Sequence, residues 1–175
     1  MKKIGILLVV FLASNNFFAQ SIFDKFDGQD QVTSIIVNKK MFDLMSKVKI
    51  EAKDKEAQQY FSLIKKLDNL KVFVSSNTKI ASDMKATTDK YLKSTTLEEL
   101  MRVNDSGRNV KIYVKSGASD TIKELFMFIE GNGKDNETVI MSLTGNFELN
   151  EISSLTNKMN LPGGDILKKA SKSKK

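Results

Sequence analysis

The chain has 175 residues and 41% apolar content, enough for one globular domain with a real core and too much for a disordered protein. Cysteine and histidine are both absent, which excludes disulfides, histidine-dependent nucleophile pairs, imidazole acid–base catalysis and ordinary zinc sites. The formal net charge is +7, with lysines spread along the whole chain.

Residues 1–19 have the layout of a secretory signal peptide. Lys2 and Lys3 form a positive start, residues 4–13 form an apolar run, and Ala19 offers a small residue for cleavage. The apolar run is about ten residues long, shorter than the roughly 20 that a membrane-spanning helix needs. We therefore expect a periplasmic or secreted protein, cleaved near Ala19 and without a transmembrane anchor in the mature chain.

The first half of the mature chain predicts two strands and three helices. The pattern places a β-branched strand at 32–37, a short helix from Met41, an amphipathic helix at 54–67, an apolar strand at 70–74 and a helix from Asn77 to near Lys93. Asn77 is the predicted N-cap of the third helix. The strand at 70–74 is brief and apolar, so we expect it to be buried and to run parallel to the first.

From Leu97 onward, apolar residues alternate with polar ones, which predicts a meander of four strands. These strands are expected at 97–103, 110–114, 121–130 and 137–145, with turns at 104–109 and 131–136. A last helix is predicted from Leu149 to Met159, and Pro162 with the two glycines after it ends that helix.

The predicted order is β-α-α-β-α-β-β-β-β-α, an α+β pattern in a single domain that spans residues 20–164. Each helix has one apolar stripe, so we expect the helices to pack on one face of a mainly antiparallel sheet. The other face then stays partly open. Residues 165–175 are rich in lysine and are expected to form a basic flexible tail.

The open face supplies the candidate binding residues, which are Arg102, Lys111, Tyr113 and Lys115. Their cations suit charge-assisted hydrogen bonds, and the tyrosine ring suits stacking against a partner. Ser142 and Thr144 are expected on the same face. The alternative explanation of these side chains is an ordinary solvated strand face.

A serine acyl-transfer enzyme is a remote alternative. Residues 62–65 fit S-x-x-K, residues 75–77 fit S-x-N and residues 115–117 fit K-[ST]-G, in the order that penicillin-recognising enzymes use. However, S-x-x-K recurs at four other serines, and the chain is much shorter than those enzymes. The acidic, glycine-bearing segments at 24–30 and 130–137 fit turns better than calcium loops. We predict no catalytic residue, no metal and no cofactor.

Several segments together resemble the bacterial family called domain of unknown function 4252. The segments that carry the resemblance are Phe23–Phe26, Val32–Phe42, Leu97–Gly107, Val110–Lys115, Ile122–Leu125, Leu143–Gly145 and Glu148–Leu155. The resemblance implies an exported protein of Gram-negative bacteria, with no established activity and no catalytic residues to carry over. It also implies genes near extracytoplasmic sigma factors and their anti-sigma partners. Some relatives begin with a lipobox cysteine, which this chain lacks.

The sequence therefore predicts an exported, non-enzymatic binding or interaction module of the bacterial envelope. Its expected partner is an envelope protein or an anionic ligand. A regulatory component that acts with an extracytoplasmic sigma/anti-sigma system is the alternative function. Nucleic acid is not an expected partner, because the compartment is wrong and no basic stripe is interleaved with aromatic residues.

Overall fold

A computed structural model of the protein covers most of the predicted domain. It describes residues 22–47, 55–105, 107–119, 121–131, 137–159, 162–164 and 166. The predicted leader at 1–19 lies outside the described residues, and so does the predicted tail except for Ile166. Ile166 itself is buried against the core of the sheet, only 5% exposed.

The described chain forms six strands, four α-helices and two short 3-10 turns. The helices are α1 (Lys39–Met45), α2 (Lys55–Ile64), α3 (Thr78–Ser94) and α4 (Ile152–Met159). The strands are β1 (Thr33–Asn38), β2 (Leu67–Ser75), β3 (Glu98–Asp105), β4 (Arg108–Ser116), β5 (Ile122–Gly131) and β6 (Thr138–Phe147). The 3-10 turns are Asp24–Phe26, ahead of β1, and Leu149–Glu151, which leads into α4.

All six strands belong to one sheet in the order β1-β2-β6-β5-β4-β3, and every neighbouring pair is antiparallel. The α+β class and the antiparallel meander are confirmed. The hairpin between β3 and β4 is confirmed as well, since Asp105 pairs with Arg108 and Gly107 takes a φ of 87° at the turn. A positive φ is a conformation that glycine adopts without strain.

The expected parallel pairing of the first two strands is wrong. β1 and β2 are antiparallel, and Asn38 at the end of β1 lies opposite Asn69 near the start of β2. Two helices, α1 and α2, connect these strands. A single helix after β1 would return the chain to the end of the sheet where β1 begins, and the next strand would then run parallel to β1. A pair of helices returns the chain to the end where β1 finishes, so β2 runs antiparallel.

The helices cover both faces of the sheet, not the single face that the sequence led us to expect. On one face, α1, α2 and α4 pack onto a core that includes Phe42, Leu63 and Leu155. On the other face, α3 packs onto a second core through Met84 and Tyr91. The reason lies in β5, where residues 125–129 are all buried, so both sides of this strand need a cover.

The segment ahead of β1 completes the second core. Phe23 and Phe26 are 1% and 0% exposed, and the Phe26 ring lies 6.1 Å from the ring of Phe73 on β2. The Phe23 ring packs edge-on against Tyr91 at 5.0 Å. Burying a phenylalanine side chain stabilises a fold by about 1.5–3 kcal/mol. This segment is therefore part of the packed domain.

Asn77 caps α3, as the sequence predicts. Its side-chain oxygen accepts hydrogen bonds from the backbone N–H groups of Lys79 and Ile80, at 3.0 and 3.1 Å. The side-chain amide also donates to the side chain of Gln31 at 2.6 Å. The cap thus links the helix to the loop before β1.

Replacing Asn77 with alanine is expected to lower the free energy of unfolding by about 1 kcal/mol, because the helix loses its side-chain acceptor. Urea denaturation followed by circular dichroism measures the effect. Asn77→Asp keeps the acceptor and is the matched control, so most of the stability should return. An equal loss in both variants would contradict a capping role.

Candidate functional site

The four predicted binding residues come together on one face of two neighbouring strands. Arg102 on β3 lies directly opposite Lys111 on β4. Lys111, Tyr113 and Lys115 alternate along β4, so all three point to the same side of the sheet. Arg102 is exposed, and the other three are half-buried. We call this surface, formed by Arg102, Lys111, Tyr113 and Lys115, the β3–β4 face.

The β3–β4 face lies beyond the cover that α3 provides. The α3 helix packs mainly on β5 and β6, the central strands, and the segment with Phe23 and Phe26 covers β2 and β5. The ring of Tyr113 marks the border of the covered part, 6.4 Å from the ring of Phe126 on β5. The predicted open face therefore exists on β3 and β4, but it does not extend over the central strands of the sheet.

Glu99 is a member of this face that sequence reasoning missed. The Arg102 guanidinium donates two hydrogen bonds to its carboxylate, from Nε at 3.1 Å and from Nη2 at 2.7 Å. Residues three apart in a regular strand point to opposite faces. Here the register with β4 shifts between Glu99 and Met101, so Glu99 and Arg102 share one face. No signal in the sequence marks this bulge.

The electrostatics of the β3–β4 face centre on Glu99. The hydrogen bonds from Arg102 lower the pKa of the Glu99 carboxyl, and the Tyr113 hydroxyl and the Lys111 charge act in the same direction. Partial burial, followed by the negative charge of Glu99, raises the pKa of Tyr113. At neutral pH the face therefore carries an ionised carboxylate, a protonated phenol and three cations.

A buried carboxyl group lies next to this face. Glu124 on β5 is 8% exposed and accepts hydrogen bonds from Tyr91 Oη at 2.5 Å and from Ser142 Oγ at 3.0 Å. Burial raises the pKa of Glu124, although these two hydrogen bonds and the charge of Lys115 oppose the shift. Burial, together with the charge of Glu124, also raises the pKa of Tyr91.

The expected position of Ser142 on the open face is wrong. Its side chain is 2% exposed, because Tyr91 of α3 packs over this part of the sheet, and Thr144 is half-buried. The hydrogen bond from the Tyr91 hydroxyl to Glu124 attaches α3 to β5 at this point. The part of the sheet that α3 covers therefore ends next to the β3–β4 face.

The residues of the serine motif do not form a common site. Ser62 is exposed on α2, while Ser75 is buried at the end of β2 and donates a hydrogen bond to the Gln31 carbonyl at 2.8 Å. β2 and β4 run in opposite directions, so their last residues, Ser75 and Ser116, lie at opposite ends of the strands. The length of a nine-residue strand separates those two ends by about 25 Å. This placement does not support acyl transfer by these groups.

Two acidic side chains before β1, Asp24 and Asp27, make contacts within the fold. Asp27 accepts a hydrogen bond from the Ser34 hydroxyl at 2.6 Å, and Asp24 pairs with Lys71 at 2.5 Å. Across the part of the chain that the structure describes, His, Cys, Asp and Glu side chains form no group of three or more suited to a metal ion. Within the same residues, none of the helices has the length and apolar character to cross a bilayer.

The fold and the β3–β4 face define the class: a single-domain α+β protein with an antiparallel sheet that carries helices on both faces and leaves the β3–β4 face uncovered. Residues 26–155 match the model of the family described as Domain of unknown function (DUF4252). The chain belongs to this family, and the resemblance noted in the sequence is confirmed. No curated protein and no solved structure is significantly similar to the chain.

Proposed function

We propose that the protein is a non-enzymatic binding module of the bacterial envelope that uses the β3–β4 face to bind an anionic surface of a partner. The observation that supports this proposal most directly is the convergence of Arg102, Lys111, Tyr113 and Lys115 on the uncovered part of the sheet. The leader pattern at residues 1–19 supports export to the envelope.

Two side chains of this face, Arg102 and Tyr113, are held in place before a partner arrives. The two hydrogen bonds between Arg102 and Glu99 fix the guanidinium, and contact with Phe126 orients the Tyr113 ring. Preorganised side chains lose less conformational entropy on binding. A tyrosine with a packed ring also supplies apolar area and a hydroxyl group at low entropic cost.

Lys111 and Lys115 provide the charge for recognition. They lie four residues apart on β4, which places them about 13 Å apart on either side of Tyr113. This spacing suits two acidic side chains that lie four residues apart on one face of an extended segment of a partner protein. Each charge-assisted hydrogen bond contributes roughly 1.5–3 kcal/mol when one partner is charged. Binding through such contacts should weaken as salt concentration rises.

The double variant Lys111→Gln with Lys115→Gln is expected to reduce partner recovery at least tenfold, because both charge contacts are removed. The measurement is capture of the tagged protein from crosslinked cells, with the periplasmic and membrane fractions quantified separately. Glutamine replaces both lysines to keep their size without placing a second negative charge beside Glu124.

The control carries Lys55→Gln at the start of α2 with Lys65→Gln in the turn just after it, which changes the same charge on the opposite face of the sheet. Thermal melting of each variant confirms that the domain is folded. Equal recovery of partners by the double variant and wild type would refute the β3–β4 face as the binding site. An anti-sigma factor as the captured partner would connect this face to the regulatory alternative.

A further inference from the structure

The two edges of the sheet differ in how they are protected against pairing with another strand. The β3 edge carries Glu98, Glu99 and Arg102, and the bulge after Glu99 interrupts its register. Charged side chains and bulges are the usual devices that stop an edge strand from pairing with another chain. The β3 edge is therefore a protected edge.

The β1 edge has none of these devices. Its sequence, Thr33–Asn38, contains no charged residue and no proline, and its register with β2 continues without a shift over all six residues. Within the described residues, β2 is the one strand that pairs with β1. The outer backbone N–H and C=O groups of β1 are thus available to a further strand.

Exposed apolar side chains are concentrated at the same edge. Ile35 and Ile36 at the centre of β1 are 40% and 43% exposed, and Met41 and Leu44 on the adjoining α1 are 50% and 54% exposed. These four are the exposed large hydrophobic residues of the described chain, and they lie within ten consecutive positions. Single exposed apolar residues are common, but a cluster marks an interaction surface.

The charges around β1 indicate which partner fits. Asp30 lies just before the strand and Lys40 just after it, and both are exposed. If a second β1 runs antiparallel to the first, the acidic start of each strand lies beside the basic end of the other. Ile35 and Ile36 of the two chains then meet at the centre, on opposite sides of the sheet. A second copy of this chain therefore satisfies both the charges and the apolar side chains.

We propose that the protein forms a homodimer in which the β1 strands of two copies pair antiparallel about a two-fold axis. The pairing joins the two six-stranded sheets into one continuous sheet. Ile35 faces the same side as α1, since it pairs with Val72 in the core on that side, so Met41 and Leu44 extend the contact. A six-residue strand pair is at the small end of stable interfaces, so the expected Kd is micromolar.

Sedimentation velocity from about 1 μM to about 1 mM protein tests the proposal, with a monomer–dimer equilibrium expected in this range. Ile36→Lys places two lysines at the centre of the symmetric pair and is expected to weaken dimerisation at least tenfold. Asn104→Lys makes the same kind of change on the exposed face of the β3 edge and should leave the dimer intact. A protein that remains monomeric at every concentration would overturn the proposal.

Single cysteines provide a second test that does not depend on the stability of the lysine variant. The natural chain has no cysteine, so each introduced cysteine can form a disulfide only with the same cysteine of a second copy. Cysteines placed one at a time at Ser34, Ile35, Ile36 and Val37 should include at least one position that forms a covalent dimer on mild oxidation, since a disulfide needs Cα atoms within about 7 Å. Asn104→Cys is the control. Equal crosslinking at position 104, or none across β1, contradicts β1 pairing.

Discussion

Replacing Gly145 with alanine is expected to lower the free energy of unfolding by about 1–3 kcal/mol, the usual cost of forcing an extra methyl group into a packed site. A Cβ atom at this position would lie 2.3 Å from the Lys66 carbonyl oxygen and 3.0 Å from the Leu67 Cα. Both neighbours are backbone atoms, so a side-chain rotation cannot relieve the clash. The chain between α2 and β2 would have to move.

That backbone contact connects two parts of the fold. The N–H of Asn146 donates to the same Lys66 carbonyl at 2.9 Å, and the register of β2 with β6 shifts between Leu67 and Asn69. A methyl group at Gly145 would weaken this hydrogen bond and disturb the shifted register. The expected loss therefore includes both steric strain and a poorer hydrogen bond.

Urea denaturation monitored by circular dichroism measures the change, and Gly117→Ala is the matched control. A Cβ at Gly117 would meet side-chain atoms of Lys123, which can move aside, and the Thr121 Oγ1 at 2.7 Å, which can turn away only by giving up its hydrogen bond to the Ala118 carbonyl. The control should therefore lose no more than one exposed hydrogen bond, about 0.5–1 kcal/mol, and less than Gly145→Ala loses. Equal losses at the two glycines would show that the close approach to Lys66 is unimportant.

The second large effect concerns the pH dependence of stability, which Glu124 is expected to control. Its pKa in the folded protein lies above the ordinary value of 4.5 because the carboxyl is buried. The folded state therefore favours the protonated form. This contribution to stability is fully present below about pH 4.5 and is lost as the pH rises through the folded pKa.

Glu124→Gln removes the ionisable group and keeps an oxygen that accepts from both Tyr91 and Ser142. We expect this variant to melt at a higher temperature than wild type near pH 7.5, with the difference shrinking toward pH 4. Tyr91→Phe is expected to melt at a lower temperature than wild type near pH 7.5 and to lower the free energy of unfolding by about 1–3 kcal/mol, because the buried Glu124 carboxylate loses a hydrogen-bond donor. Thermal melting across this pH range, with the two variants beside wild type, provides the comparison.

The difference between wild type and Glu124→Gln isolates this one group from the other carboxylates. Glu99, for example, has a lowered pKa and favours folding at higher pH, but it is present in both proteins. Parallel melting curves for wild type and Glu124→Gln at all pH values would show that Glu124 is ionised with equal ease in the folded and unfolded states.

Local patterns in the sequence were sufficient for the strands and for the cap of α3. The alternation of residues 110–115 places every second side chain on one face, and Asn77 is a residue type that caps helices. The face that a helix covers depends instead on the path of the chain. The apolar stripe of α3 shows that the helix packs, but not on which side of the sheet.

The residues of the candidate site could likewise be predicted only where the local periodicity of a strand determines them. The period of two in β4 predicted correctly that Lys111, Tyr113 and Lys115 share a face. It could not predict that Glu99 shares this face, because the bulge after Glu99 reverses the side to which that residue points. It also could not predict the burial of Ser142, because that burial depends on where α3 lies. Phe23 and Phe26 belong to an irregular segment, and their place in the core has no periodic signal.

The burial of Phe23 also bears on where the domain begins. The family match starts at residue 26, yet the Phe23 ring fills the space between Tyr91 and Phe126, with ring centres 5.0 and 5.5 Å away. A fragment trimmed to the matched residues would lack this ring and leave a gap in an otherwise closed core. A cut near Ala19, as the leader pattern predicts, keeps Phe23 in the mature chain. The folding unit is thus longer than the stretch by which its relatives are recognised.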